Sequence, residues 1–308
     1  MKVAFDARAA RGTRGVARYT RCLLEALRST AESNTVAEGA RPRAADVFHA
    51  PWVEGAQLHS PVTQVVTVHD LVLLKNPRRY LRTGLRYRMR FLAAAGAQRV
   101  IVPTEVVRGE AIEMLTLRPE QVVVVGEAAA PAFRPRSDEE VAAVRERFGL
   151  PSEYLVWVGG LEHDDPRKRA PQLAAAATGG VPLVMVGATN PWAHRELADA
   201  ILTGHLSDDD LAAVVTGACS LVFPSEDEGF GLPPVEALAC GTPVVCSDIP
   251  SLREVLGDRA TFVAPDDIEG MVRTAIQAQR PAPAPLTRTW EDVARATWAV
   301  YEEAIEAG

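Results

Sequence analysis

Residues 224–245 read PSEDEGFGLPPVEALACGTPVV, and this stretch decides the fold. It runs out of one apolar segment, SLVFP (220–224), and into another, TPVVCS (242–247). Gly229 and Gly231 permit tight turning and the close approach of a ligand to the backbone. Pro233 and Pro234 suit the first turn of a helix, where a missing N–H costs little, so PPVEALAC (233–240) is predicted as a helix closed by Gly241. The free N–H groups at such a helix start favour an anion, for example a phosphate. Glu228 precedes the Gly-Pro stretch and Glu236 follows it. One carboxylate therefore belongs to the loop and the other to the helix. Carboxylates beside a phosphate-binding loop suit sugar or ribose hydroxyls.

The same strand-loop-helix rhythm extends in both directions. VAF (3–5), DVFHA (46–50), QVVTVHD (64–70), RVIVPT (99–104) and QVVVVGEA (121–128) read as strands, with helices at ARYTRCLLEAL (17–27) and VVRGEAIEMLT (106–116). This is the pattern of a parallel sheet covered by helices. PAFRPRSDEE (131–140), rich in proline and charge, interrupts it and reads as a linker that runs into a helix. The rhythm restarts at YLVWVGG (154–160), with helices near 170–177, 194–200 and 207–218, a strand at VPLVMVG (181–187) and a last helix from about Trp290. Ser207 is a natural N-cap, and Asp208–Asp210 suit a helix N-terminus. RPAPAP (280–285) is a short stiff connector. The expected class is α/β: two doubly wound, Rossmann-like domains facing a cleft. The expected bounds are 1–133 with a terminal helix, 289–308, crossing back; a linker, 134–152; and 153–288. Ligands of such sheets bind beyond the carboxyl ends of the strands.

The chain has 308 residues, which favours two domains at ~100–200 residues each. It carries 47% hydrophobic and 24% charged residues, an ordinary globular balance that excludes disorder, collagen and coiled coil as the main class. No apolar run reaches the ~20 residues of a spanning helix. The N-terminus, MKVAFDARAARGTRG, is not a signal peptide, since Asp6 interrupts its short apolar run. A cytoplasmic protein is expected. Cys22, Cys219, Cys240 and Cys246 form neither a CxxC pair nor a zinc pattern and read as reduced thiols. The net charge of −7 divides into +7 over residues 1–133 and −14 over residues 134–308. RRYLRTGLRYRMR (78–90) has six arginines and no acid, with Leu81, Leu85, Met89 and Leu92 at helical spacing. It reads either as a solvated helix face or as a contact for an anionic acceptor or the inner face of an anionic membrane. Nucleic acid is not expected: no binding motif appears, and the pI is near 5.5. The absence of GxGxxG after the first strand argues against a dinucleotide enzyme.

The segment EGFGLPPVEALACGTPVV, with seven residues between Glu228 and Glu236, closely resembles the E-x7-E signature of the family 4 retaining glycosyltransferases, which have the GT-B fold. FDARAARGTRGVARYT resembles that family's first strand and glycine loop. DVFHAPW and VTVHDL resemble its two histidine-bearing strand ends, YLVWVGGLEHDDPRKR the opening of its nucleotide domain, and TWEDVARATWAVYEEA its terminal helix.

The resemblance implies transfer of a hexose, with mannose from GDP-mannose preferred, from a nucleotide sugar to a hydroxyl with retention. The acceptor implied is a glycan, lipid-linked or small-molecule one, as in polysaccharide biosynthesis. It implies that Glu236 bonds the ribose and that Glu228 sits near the donor sugar. The backbone of Gly229, Phe230, Gly231 and Leu232 would contact sugar hydroxyls and the diphosphate. Lys168 and Arg167 would hold the diphosphate, His69 would line the donor-sugar pocket, and Gly15 would bring backbone N–H groups to phosphate or acceptor. His49, Asp70 and Arg14 fall on the acceptor side. Neither cofactor nor metal is implied. The sequence departs from the family in three places: Gly160 stands where an arginine is usual, the stretch 276–290 is trimmed, and the segment between Leu27 and Asp46 is too short for strand-helix-strand, so the first domain is expected to lack an edge strand. A nucleotide-binding scaffold without activity on the same fold is the alternative.

Overall fold

The computed structural model describes residues 1–39, 44–75, 81–177 and 180–307, and of residues 81–86 the backbone. It divides into unit 1, Met1–Ala128 with Arg288–Gly308, and unit 2, Ala129–Thr287.

Unit 1 contains β1 (Lys2–Phe5), β2 (Thr35–Glu38), β3 (Val47–Ala50), β4 (Thr63–Thr67), β5 (Arg99–Val102) and β6 (Val122–Val124). All pair in parallel, in the order β2-β1-β3-β4-β5-β6. The chain starts at β1, places β2 on one side and everything later on the other. The strand order therefore reverses at β1, between β2 and β3. The helices are α1 (Gly15–Ser29), α2 (Val72–Lys75), α3 (Leu81–Ala95) and α4 (Glu105–Leu115). The edge strand expected to be missing is present: Val36 pairs with Val3, and Glu38 pairs with Phe5. Residues 40–43 lie outside the described residues, as do Arg78, Arg79 and Tyr80 of the arginine-rich run.

Successive strand residues serve opposite faces of the sheet. Val65 packs with Phe5, Tyr19, Leu23 and Leu27 on one face, whereas Val66 packs with Phe48, Phe91 and Val100 on the other.

Unit 2 holds β7 (Leu155–Val158), β8 (Leu183–Val186), β9 (Ile201–Gly204), β10 (Ser220–Phe223), β11 (Val244–Ser247) and β12 (Thr261–Val263). They form a second parallel sheet in the order β12-β11-β10-β7-β8-β9, which reverses between β7 and β10. Its helices are α5 (Asp138–Phe148), α6 (Ala170–Ala176), α7 (Pro191–Glu196), α8 (Asp208–Gly217), α9 (Leu232–Ala239), α10 (Pro250–Leu256) and α11 (Ile268–Ile276). The stretch 134–152 is part of this unit: α5 packs on α8, Arg145 donates to the carbonyl of Gly217, and Arg136 pairs with Asp209. Ser207 caps α8 by accepting from the Asp210 N–H. Beyond β7 and β8 the backbones converge, and a Cβ on Gly187 would lie 1.7 Å from the Gly159 carbonyl oxygen. Only glycine fits there.

The chain ends in α12 (Trp290–Glu306), which belongs to unit 1 and packs on α1. Thr289 and Asp292 form a capping box at its start. Trp290, Val293, Ala294, Thr297, Trp298, Val300, Tyr301 and Ala304 are buried and recur with the helical period, so one stripe is turned inward. Among the described residues no helix is long and apolar enough to cross a membrane. The four cysteines are free, and burial pushes the thiols of Cys240 and Cys246 up to about 12, which keeps them protonated.

Candidate active site

In an open parallel sheet the loops at the point of strand reversal open a crevice at the carboxyl ends. In unit 2 these are the loops after β7 and β10. The loop after β7 carries a short turn, Pro166–Lys168, capped by Asp165. The loop after β10 carries Glu226, Glu228 and the glycines. The two are laced together, because the Glu226 N–H donates to the Arg167 carbonyl at 2.8 Å. Three successive cations then meet three acids. Arg167 Nε donates to Asp165 at 2.8 Å, Lys168 Nζ to Glu228 Oε1 at 2.7 Å, and Arg169 Nε to Glu226 Oε1 at 2.8 Å. Lys168 also lies over the Phe223 ring, 5.2 Å from its centre. Its side chain is 18% exposed and that of Glu228 is 11% exposed, so water screens the pair only in part.

Gly231 caps α9 with φ +88°, a left-handed backbone that a side chain would strain. Leu232 opens the helix, and Phe230 and Glu236 are buried. The loop carboxylate and the helix carboxylate thus sit as the sequence places them. Close by in sequence, the hydroxyls of Ser225, just past β10, and Ser247, at the end of β11, are fully buried. Neither has a hydrogen-bond partner among the described residues.

In unit 1 the reversal falls beside the loop that follows β1. Asp6 is buried there, bound by Arg8 at 2.8 and 2.7 Å and by the Trp52 indole N–H at 3.3 Å. Arg21 reaches back to the carbonyls of Ala10 and Gly12. Arg14 and Gly15 are exposed at the start of α1.

His49 is not on an acceptor surface. It is fully buried at the end of β3, with Nδ1 2.6 Å from the Tyr301 hydroxyl and Nε2 2.9 Å from Thr67 Oγ1. Thr67 in turn lies 3.2 Å from the Tyr19 hydroxyl. Burial, followed by the charge of His69, pushes His49 down to about 3. A neutral ring satisfies this chain if Tyr301 donates to Nδ1 and Nε2–H donates to Thr67. The ring therefore binds Tyr301 of α12 to the sheet, and its task is structural. Asp70 accepts from the Val72 N–H at 3.3 Å and so starts α2.

His69 lies beyond β4. Nδ1 is 3.1 Å from Glu127 Oε1, Nε2 is 3.0 Å from the Pro51 carbonyl, and the ring meets the Tyr19 ring edge-on at 4.5 Å. Sequence reasoning missed Glu127. Its signal was a lone acid one glycine beyond the apolar run VVVV, where a strand end delivers its next residues to the site. It also missed Arg169 and Glu226, which complete the paired charges in unit 2.

The buried state of His49 has a consequence for stability in acid. Its folded pKa lies below the unfolded value, so the unfolded chain binds a proton that the folded chain refuses. Stability should fall by about 1.4 kcal/mol per pH unit as pH drops from ~6.5 toward 3. His69 adds no slope well below ~6.5, because it is then charged in both states. Thermal unfolding from pH 6.0 to 5.0 should be flatter for His49→Gln than for the native chain. Equal slopes would disprove the assignment.

Residues 152–280 match the family of glycosyl transferases group 1. The chain is 28% identical to O-antigen chain mannosyltransferase B of Escherichia coli over 257 residues, covering 75% of this chain and 64% of that protein. It is 44% identical to O-antigen chain mannosyltransferase RfbU of Salmonella typhimurium over 101 residues, covering 32% of this chain and 28% of that protein. The chain thus spans less than two thirds of the length of these curated relatives. Among solved structures it resembles the Anabaena protein HepE in complex with UDP and glucose, with a TM-score of 0.70 at 17% identity over 100% of this chain and 96% of that one. It also resembles WaaG, a glycosyltransferase of lipopolysaccharide biosynthesis, with a TM-score of 0.68 at 13% identity over 99% and 94% of the two chains. Two Rossmann-like α/β domains of GT-B type are therefore the fold, as the sequence led us to expect.

Proposed function

We propose that this chain is a retaining glycosyltransferase of family 4, moving a hexose, by preference mannose from GDP-mannose, to a hydroxyl of a glycan, lipid-linked or small-molecule acceptor. The observation that carries the reading is the meeting of Lys168 with Glu228 at the strand reversal of unit 2, beside the Gly231 cap and the buried Glu236. A departing nucleoside diphosphate gains charge on its oxygens. Preorganised donors aimed at such charge are often the largest catalytic contribution. Lys168 and Arg167 are ammonium and guanidinium groups on a capped turn, already held in place. At the start of α9, Gly231 and Leu232 add backbone N–H groups, whereas Pro233 and Pro234 carry none.

In the reaction the bond from the anomeric carbon to the β-phosphate oxygen breaks, and its electrons stay on the phosphate. The acceptor oxygen bonds to the same face of the sugar, and its proton passes to the leaving phosphate. These residues ask for no metal. Exposed Met89 and Leu92 beside exposed Arg88 and Arg90 on α3 support peripheral contact with an anionic membrane, where a lipid-linked acceptor would reside.

Thermal unfolding with GDP, UDP, ADP and TDP tests the donor site. A ligand at 100 times its Kd should add about 2.7 kcal/mol, a shift of several degrees. The shift should follow one base and should shrink in Glu236→Ala. No shift with any nucleotide would refute the reading.

A further inference from the structure

The two ring nitrogens of His69 face two groups that only accept hydrogen bonds. Nδ1 is 3.1 Å from a carboxylate oxygen of Glu127, and Nε2 is 3.0 Å from the carbonyl of Pro51. A neutral imidazole has one donor and one acceptor, so it can satisfy only one of these contacts. The doubly protonated ring satisfies both. Glu127 is buried, with 4% of its side chain exposed, and the positive ring gives this carboxylate its counter-charge.

We propose that Glu127 is a positioning residue that keeps His69 an imidazolium, so that His69 serves the reaction as a fixed cation and takes no part in proton transfer. Its role in transfer rests on the function proposed above, whereas the charge state of the ring stands on the geometry of unit 1.

The surroundings agree. Burial by itself would push His69 down, but the hydrogen bond and charge of Glu127, then the Pro51 carbonyl and the charge of Asp70, hold it above its ordinary value. From α1 the neighbouring titratable group is Tyr19, whose phenol is raised by burial and so stays uncharged. From β3 it is His49, which is neutral. Glu127 and Asp70 are thus the charged groups acting on the ring, and both favour the cation. Fixing the ring also fixes the backbone at Pro51, next to Trp52, whose indole binds Asp6. A histidine that cannot release its proton near neutral pH is a poor general base. This agrees with a transfer in which the acceptor proton leaves on the phosphate.

The test is NMR of the full-length chain, labelled with nitrogen-15, following histidine ring nitrogens from pH 6 to 9. His69→Gln identifies the signal. At pH 7.5 His69 should carry both ring protons, and Glu127→Gln should lower its midpoint by about one pH unit or more. Glu127→Asp should recover most of that loss. In a transfer assay the native pH profile should show no histidine step between 6 and 8. With Glu127→Gln, kcat should fall as pH rises through the lowered midpoint, while nucleotide affinity stays unchanged. A neutral His69 in the native chain at pH 7.5 overturns the proposal, and this measurement decides even if Glu127→Gln fails to fold. An unshifted midpoint in a folded Glu127→Gln overturns it as well. The expected NMR result with no turnover of any nucleotide sugar would leave the Glu127–His69 assignment standing and would sink the transferase reading alone.

Discussion

Lys168→Ala should slow sugar transfer by about 10²–10³ in kcat, the usual loss when one preorganised charge-stabilising donor is removed. The argument is positional. Lys168 sits on a turn capped by Asp165, its ammonium is 2.7 Å from Glu228, and the neighbouring backbone is tied to the loop after β10. Under the proposed function, an arriving diphosphate would take over the ammonium that Glu228 holds in the free protein. The substitution also leaves the largely buried Glu228 carboxylate without its counter-charge, which lowers stability. The double variant Lys168→Ala/Glu228→Gln removes that second effect and should regain the lost melting temperature, yet it should remain inactive. Initial rates at saturating donor, set beside melting curves, separate the two effects. A single variant that turns over at the native rate would take Lys168 out of the machinery. Lys168→Arg is not a silent change, because a planar guanidinium does not reproduce a compact ammonium.

Tyr301→Ala should destabilise unit 1 by about 3–5 kcal/mol, the range for truncating a buried aromatic side chain. Tyr301 is fully buried and packs edge-on against both His49 and Trp298. Its hydroxyl is the partner of His49 Nδ1, so truncation opens a cavity and strands a buried polar atom. Tyr301→Phe keeps the packing and loses only the hydrogen bond, which should cost about 1–3 kcal/mol. Hydrogen exchange on β3 and β4 reads unit 1 directly, and the amides of unit 2 serve as the internal standard. Equal protection in the native chain and Tyr301→Ala would show that α12 does not hold the sheet.

These predictions draw unequally on what the sequence makes visible. The alternation of apolar runs and helices is legible because parallel strands are buried on both faces and so form unbroken hydrophobic stretches. The loop before α9 is legible because glycine and proline act through the backbone, whatever packs around them. The edge strand β2 is not, since its residues TVAE are largely exposed and lack an apolar run. Nor is β9, only half-buried at the opposite edge of the other sheet. At the candidate site, Glu228, Lys168 and Glu236 could be named because they flank those backbone signals. His49 could not be sorted from a ligand-facing residue. A histidine at a strand end looks the same in sequence whether its ring turns toward solvent or toward a tyrosine 252 positions later. The pairing of His69 with Glu127 spans 58 positions and leaves no periodic trace.

The return of α12 to unit 1 sets an order on biosynthesis. The ribosome completes β1–β6 early, but the helix that covers one face of that sheet comes only after residues 129–287 have been made. At about 5–20 residues per second, that interval is roughly 10–30 s. Throughout it, the face lined by Phe5, Tyr19, Leu23 and Val65 lacks the indoles of Trp290 and Trp298. Unit 2 has all its strands and helices in one continuous segment and can close as soon as it emerges. The second half of the polypeptide is therefore placed to fold before the first, and the nascent chain carries an open hydrophobic face that chaperones would meet for most of its translation.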